Sequence, residues 1–229
     1  MRENESLTRK FDTPAPVSAV LDVPAGRIQF IAADRADTTV EIRPAEASRS
    51  RDVKAAERTE VAYADGVLRI HTPEGGSQFF GPSGSVEITV QLPTGSRVEA
   101  RAAASELRGV GRLGDVAFEG AYRRIKIDEA ASVRLTAVDG DIEIGRLGGP
   151  ADISTARGDI RVTEAVSGTV TLRTAQGGIS VGAARGVCAS LDAGTGHGRI
   201  HNALRNTDGA ADLNIHATTA HGDITARSL

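Results

Sequence analysis

The hexapeptide Thr155-Ala156-Arg157-Gly158-Asp159-Ile160 recurs as Thr174-Ala175-Gln176-Gly177-Gly178-Ile179, Thr195-Gly196-His197-Gly198-Arg199-Ile200 and Thr219-Ala220-His221-Gly222-Asp223-Ile224. A looser copy stands at Thr136-Ala137-Val138-Asp139-Gly140-Asp141-Ile142. The shared glycines, Gly140, Gly158, Gly177, Gly198 and Gly222, step by 18, 19, 21 and 24 residues, which is a structural unit repeated with growing insertions. Upstream of each phrase lies a short alternating segment (Val133 and Leu135, Ala151 and Ile153, Val170 and Leu172, Ala189 and Leu191, Leu213 and Ile215), and the phrase runs on into another (Ile142 and Ile144, Ile160 and Val162, Ile179 and Val181). Apolar residues two apart, bounded by glycine, mark short half-buried strands, so each unit reads strand, glycine turn, strand, second turn. Two weaker units, around Val98 to Val110 and Val116 to Ile127, precede these.

A two-strand unit of this length cannot bury its own apolar face, whereas stacked units let each strand pair with its equivalent in the next coil. The expectation is therefore an all-β, single-domain β-solenoid of about seven two-strand coils over residues 96–229, with a β-rich N-terminal cap over 14–95 in the same continuous unit and a flexible segment at 1–13. Composition agrees: of 229 residues 26 are Gly, only 3% are aromatic and none is Trp, as suits a narrow core of Ile, Val, Leu and Ala ladders. In the cap, strands are expected over 17–23, 27–32, 38–43, 60–63, 67–71 and 86–92, a loop or short helix over 46–58, and a mobile loop carrying Phe79-Phe80.

With these segments on the page, the chain resembles a bacterial β-strand-repeat family named "putative adhesin", related to the toastrack domains. The resemblance is carried by Ala19-Val20-Leu21-Asp22-Val23, Gly26-Arg27-Ile28-Gln29-Phe30, Thr39-Val40-Glu41-Ile42, Gly66-Val67-Leu68-Arg69-Ile70 and the Gly-Asp-Ile phrases. It implies the solenoid fold and a setting in envelope or stress responses, and it carries no catalytic residues across. Met1 to Pro16 is charged and lacks an apolar run of signal-peptide length, and no stretch reaches transmembrane length. The expectation is a cytoplasmic chain without direct membrane insertion, which argues against a literal adhesin.

The 27 Lys and Arg against 30 Asp and Glu leave a formal charge of −3, so no nucleic-acid partner is expected. A single cysteine, Cys188, excludes an internal disulfide framework and is expected to be buried and inert. No nucleophile elbow, phosphate loop, zincin motif or dinucleotide fingerprint is present, and the scarcity of aromatics leaves no sugar platform, so neither an enzyme nor a cofactor is expected. The repeated glycines read as turn residues, with Asp141, Asp159 and Asp223 accepting nearby turn N–H groups; Thr155, Thr174, Thr195 and Thr219 read as a hydrogen-bonded ladder. The Arg123-Arg124-Ile125-Lys126 run lies among Glu119, Asp128 and Glu129 and reads as a mixed-charge solvated face.

Histidine is the exception to this structural reading. Repeat alignment stacks His197 on His221, about 5 Å apart, and His201 lies four residues beyond His197, so the three form a candidate metal site at the C-terminal end, with His216 nearby. The preferred function is a protein-interaction scaffold with an unidentified protein partner, and the alternative is metal or ligand binding through these histidines. An uncapped C-terminal edge also allows a homodimer through a solenoid end.

Overall fold

The computed structural model describes residues 7–73, 84–120, 124–205 and 210–229; the expected Phe79-Phe80 loop, Tyr122 and Arg123 lie outside them. In chain order the described elements begin with β1 (Leu7–Asp12), β2 (Ser18–Ala33), β3 (Asp37–Pro44), α1 (Ser50–Arg58), β4 (Glu60–Ala64), β5 (Val67–His71), β6 (Val86–Pro93), β7 (Arg97–Gly120) and β8 (Ile125–Asp139). They continue with β9 (Ile142–Leu147), β10 (Ala151–Arg157), β11 (Ile160–Ala165), β12 (Gly168–Gln176), β13 (Ile179–Ala183), β14 (Ala189–His197), β15 (Ile200–Ala203), β16 (Leu213–His221) and β17 (Ile224–Ser228). From β7 onward, strands separated by one coil pair in parallel and in register, so the molecule is a β-solenoid, as the repeats require.

Inside the coil, alternate residues stack into columns. One column runs Ile88, Ile28, Leu107, Ile125, Ile142, Ile160, Ile179, Ile224 and Ile200 through successive pairings. At about 4.8 Å per coil, these nine rungs make a rod about 38 Å long. All but Ile200 are essentially fully buried, and burial of such a side chain contributes roughly 1.5–3 kcal/mol. The neighbouring column shows how a ring fits a narrow core: Phe30, fully buried, pairs with Gly109, which has no side chain to compete for the space.

The corners set the pitch. Gly177 has φ of +151°, and a Cβ there would lie 2.1 Å from the carbonyl oxygen of Gly158; at Gly222, φ is +152° and the Cβ would lie 2.0 Å from the oxygen of Gly177. Only glycine lets the backbones approach this closely. The N–H groups of Gly140, Gly158, Gly177 and Gly222 donate to the next coil, Gly158 to the Gln176 carbonyl at 2.8 Å and Gly177 to the His221 carbonyl at 2.9 Å.

Three features depart from the expectation. The 1–13 segment is a strand from Leu7 onward, β1 lying antiparallel on β3. Within the region expected to be a cap, β2 is itself a full coil, paired in parallel with β7 from Ser18 to Ile31 and, on its other side, with β5 and β6. The third departure concerns coil order at the C-terminal end: β12 pairs with β16 and β13 with β17, while β14 and β15 pair with β16 and β17 from the outside. The last coil in the chain is thus second to last in space, just as β2, the first coil, sits inside β5 and β6.

Composition accounts for this order. The 213–226 coil offers Leu213, Ile215, Ala217, Ile224 and Ala226 to the core, whereas the 189–202 coil offers Ala189, Leu191, Ala193, Ile200 and Asn202. Exchanging them would expose an additional leucine and bury Asn202, at a cost of roughly 3–5 kcal/mol. Outermost, Asn202 stays in water, and its side-chain oxygen accepts the Leu204 N–H at 3.0 Å.

Glycine replacement separates the corner requirement from ordinary turn strain. Gly177→Ala is expected to lower unfolding free energy by about 3 kcal/mol, through both clash and positive φ, whereas Gly186→Ala, with φ of +78° but open space around it, costs about 1 kcal/mol. Denaturant midpoints of the two variants check this, and equal midpoints contradict it.

Candidate interaction surface

The two ends of the rod are built differently. At the N-terminal end β4 closes β5 in an antiparallel pair, β3 closes β6, and β1 adds to β3, while α1 packs against β3 and β6. Asp52 of α1 is buried and accepts the Ser85 N–H at 3.0 Å, tying the helix to the sheet. At the opposite end β14 and β15 pair with β16 and β17 on one side only; among the described residues no strand covers the other. Among the described residues, 190–197 of β14 and the whole of β15 therefore form the outermost rung of the two sheets, and the apolar column ends at Ile200, 46% exposed.

The sides of the rod are ion-pair ladders. Arg124 and Lys126 both reach Glu143, at 3.0 and 2.9 Å; Arg157 meets Asp139 at 2.8 Å, Arg173 meets Asp152 at 3.0 Å, and Arg146 bridges to Glu164. Each pair links neighbouring coils, so these basic side chains are matched by carboxylates, and the 124–126 part of the basic run lies in a mixed-charge face. Lys126, foremost by its hydrogen bond, holds the Glu143 carboxyl below its ordinary range. At the closed end the Arg35 guanidinium, with help from Lys10, holds Asp37 far below the usual carboxylate range.

The polar residues of the repeated phrase stitch coils together. Thr174 Oγ1 donates to the Gly158 carbonyl, Thr219 to that of Gly177 and Thr195 to that of Gly222, each at 3.0–3.1 Å. Asp141 Oδ1 accepts the Asp159 N–H at 2.9 Å, Asp159 Oδ1 the Gly178 N–H at 2.7 Å and Asp223 Oδ1 the Arg199 N–H at 2.8 Å. The aspartates are thus occupied by backbone across coil boundaries, as a turn role requires.

Of the candidate metal ligands, two come together. His197 and His221 stack with ring centroids 4.8 Å apart and planes 3° from parallel. His201 lies past the corner on β15, opposite Thr225, and among the described residues no group of three or more His, Cys, Asp or Glu converges as a metal cage. His216 instead faces Asp192 at 3.3 Å, a second contact between the terminal coil and its neighbour. Cys188 is half-buried where full burial was expected, and its carbonyl accepts N–H groups from Asp212 and Leu213 at 2.9 and 3.2 Å. A cleft of about 780 Å³ is lined by Asp22, His71, Arg101 and Glu119; its ion pairs, His71 with Asp22 and Arg101 with Glu119, each 3.5 Å apart, are exposed to water.

These features define a parallel β-solenoid whose two ends are finished differently, one by antiparallel strands and a helix and the other by parallel strands. Residues 20–228 match the family described as Toastrack DUF4097, and the chain belongs to that family. Among solved structures, it is similar to a "putative adhesin" from Bacteroides fragilis at 13% identity, with 98% of each chain covered and a TM-score of 0.57. A "putative adhesin" from Parabacteroides merdae matches at 11% identity over 98% of this chain and 97% of that one, with a TM-score of 0.45. The first of these likenesses shows the fold. No curated protein matches the chain. Among the described residues no helix is long and apolar enough to cross a membrane.

The free edge and Asp223 together generate a pH prediction. The Arg199 backbone N–H, then its guanidinium, holds the Asp223 carboxyl below its ordinary range, so this contact stabilises the terminal coil above the unfolded value and is lost as pH falls through the folded one. Amide hydrogen exchange across 189–203 is expected to accelerate relative to the central coils on acidification through the carboxylate range, and to do so less in Asp223→Asn. An unchanged pH profile in that variant contradicts the assignment.

Proposed function

We propose that the protein is a non-enzymatic interaction scaffold whose open end receives a protein partner by strand addition. The observation that carries this reading is the asymmetry of the rod: one end finishes in antiparallel strands, with Lys10 on β1, and a helix, whereas among the described residues the other finishes in parallel strands, 190–197 of β14 and β15, paired on one side only. Natural sheets guard such edges with lysine, and the chain places its three lysines at positions 10, 54 and 126, none of them on the terminal coil. The ladder faces support the scaffold role, because their charges are already matched coil to coil. The setting in envelope or stress responses that the family resemblance implies is part of the same reading.

Capture from extract of the native cell, compared across variants, tests it. Gly194→Lys places a cation on the free edge at a position where a Cβ meets only the Thr218 methyl, 4.0 Å away, and Glu57→Lys places one on exposed α1 at the closed end. Wild type and Glu57→Lys are expected to retain the same defined partner and Gly194→Lys to lose it. Equal retention by all three overturns the edge as the binding surface.

A further inference from the structure

We propose that His197 and His221 form a metal site for one divalent ion of the first transition row that prefers imidazole, Zn²⁺, Ni²⁺ or Cu²⁺, and that this ion ties the 189–203 coil to its neighbour. The site is independent of the strand-addition reading above, because it uses two exposed side chains and not the backbone edge of β14. The two histidines are register partners on β14 and β16, one rung apart. Both are exposed, and their rings stack 4.8 Å apart and 3° from parallel. Among the described residues neither ring has a hydrogen bond or ion pair, so the nitrogens are available to a ligand.

The slot is one through which coils make side-chain contacts. Its row reads Asp139, Arg157, Gln176, His221 and His197 through successive pairings, and the first two members are an ion pair at 2.8 Å. The last two bring together donors of one kind, neutral nitrogens, and among the described residues no carboxylate or thiolate joins them in a cage. Such a set suits Zn²⁺, Ni²⁺ or Cu²⁺ and gives Ca²⁺ and Mg²⁺ no oxygen shell. Two imidazole nitrogens on one tetrahedral ion lie roughly 3.3–3.4 Å apart. The stacked rings reach that separation by tilting their nitrogen edges together by about 1.5 Å, a rotation about the soft χ2 torsion, and water completes the coordination. The remaining described histidines lack this arrangement: His71 and His216 face Asp22 and Asp192, at 3.5 and 3.3 Å, and His201 lies on β15 opposite Thr225. His197 and His221 are 24 residues apart in the chain, so folding brings the two ligands together and the ion favours the folded coil pair.

Isothermal titration of the metal-free full chain with Zn²⁺ tests the proposal, with sedimentation velocity to count chains per ion. The expected result is one ion per chain without a change in oligomeric state. Affinity is expected to fall by roughly tenfold or more in His197→Asn and in His221→Asn, and to stay within about twofold of wild type in His201→Asn and His216→Asn. Amide hydrogen exchange across 189–203 is expected to slow when Zn²⁺ is added to the wild type and not when it is added to His221→Asn. Thermal melts without metal confirm that each variant is folded. No Zn²⁺ binding, binding indifferent to both His197→Asn and His221→Asn, equal loss in His201→Asn or His216→Asn, Ca²⁺ bound as tightly as Zn²⁺, or one ion shared between two chains overturns the proposal.

Discussion

At the repeated corners Gly158, Gly177, Gly222 and Gly198, the carbonyl oxygen of a corner glycine in the adjoining coil occupies the space that a Cβ would fill. This contact sets how closely the coils stack, and the rest of the structure follows from that spacing. With the corners at the pitch of paired strands, the corner N–H groups reach carbonyls of the next coil, threonine hydroxyls reach the glycine carbonyls of the preceding one, and the Ile, Leu and Val columns are buried. A side chain at these corners would push two coils apart and strain backbone bonds and apolar contacts together. The aliphatic, almost aromatic-free composition belongs to the same constraint, because a ring is accommodated where the adjacent rung is vacated, as Gly109 does for Phe30.

The solenoid places both of its chain-terminal coils inside the stack. β2 lies between β6 and β7, and the β16–β17 coil lies between the β12–β13 coil and the β14–β15 coil. The most apolar C-terminal residues are therefore covered on both sides, and the polar, glycine-rich 189–203 coil becomes the exposed end. That end carries Asp192, Gly194, Arg199 and Ile200, and Leu229 is held elsewhere, its N–H on the Ala183 carbonyl at 3.0 Å.

Much of this was legible in the residues. Glycine spacing and period-two alternation give the coils, the corner role of Gly140 to Gly222 and the stacking of His197 on His221, because each is local or depends on register alone. Spatial order is different, since Thr195 and Thr219, or Ile200 and Ile224, fit the same slot and a repeat alignment cannot rank them. The available signal was Asn202, standing in a column otherwise held by Ile127, Ile144, Val162, Val181 and Ala226; a polar rung belongs at an end. The histidine grouping met geometry of the same kind: even spacing put His201 on the face of His197 only if the strand ran straight, and a corner at Gly198 separates β14 from β15, where His201 lies opposite Thr225.

Cysteine pairing tests the stacking account most directly, because it reads which coil touches which. In a Cys188→Ala background, Gln176→Cys with His221→Cys joins positions in directly paired strands, while Gln176→Cys with His197→Cys joins positions two coils apart, about 9.6 Å. Under mild oxidation the first pair is expected to form an intramolecular disulfide and the second to remain reduced. Efficient bridging of the second pair and not the first would mean that the coils stack in chain order, and would contradict the account.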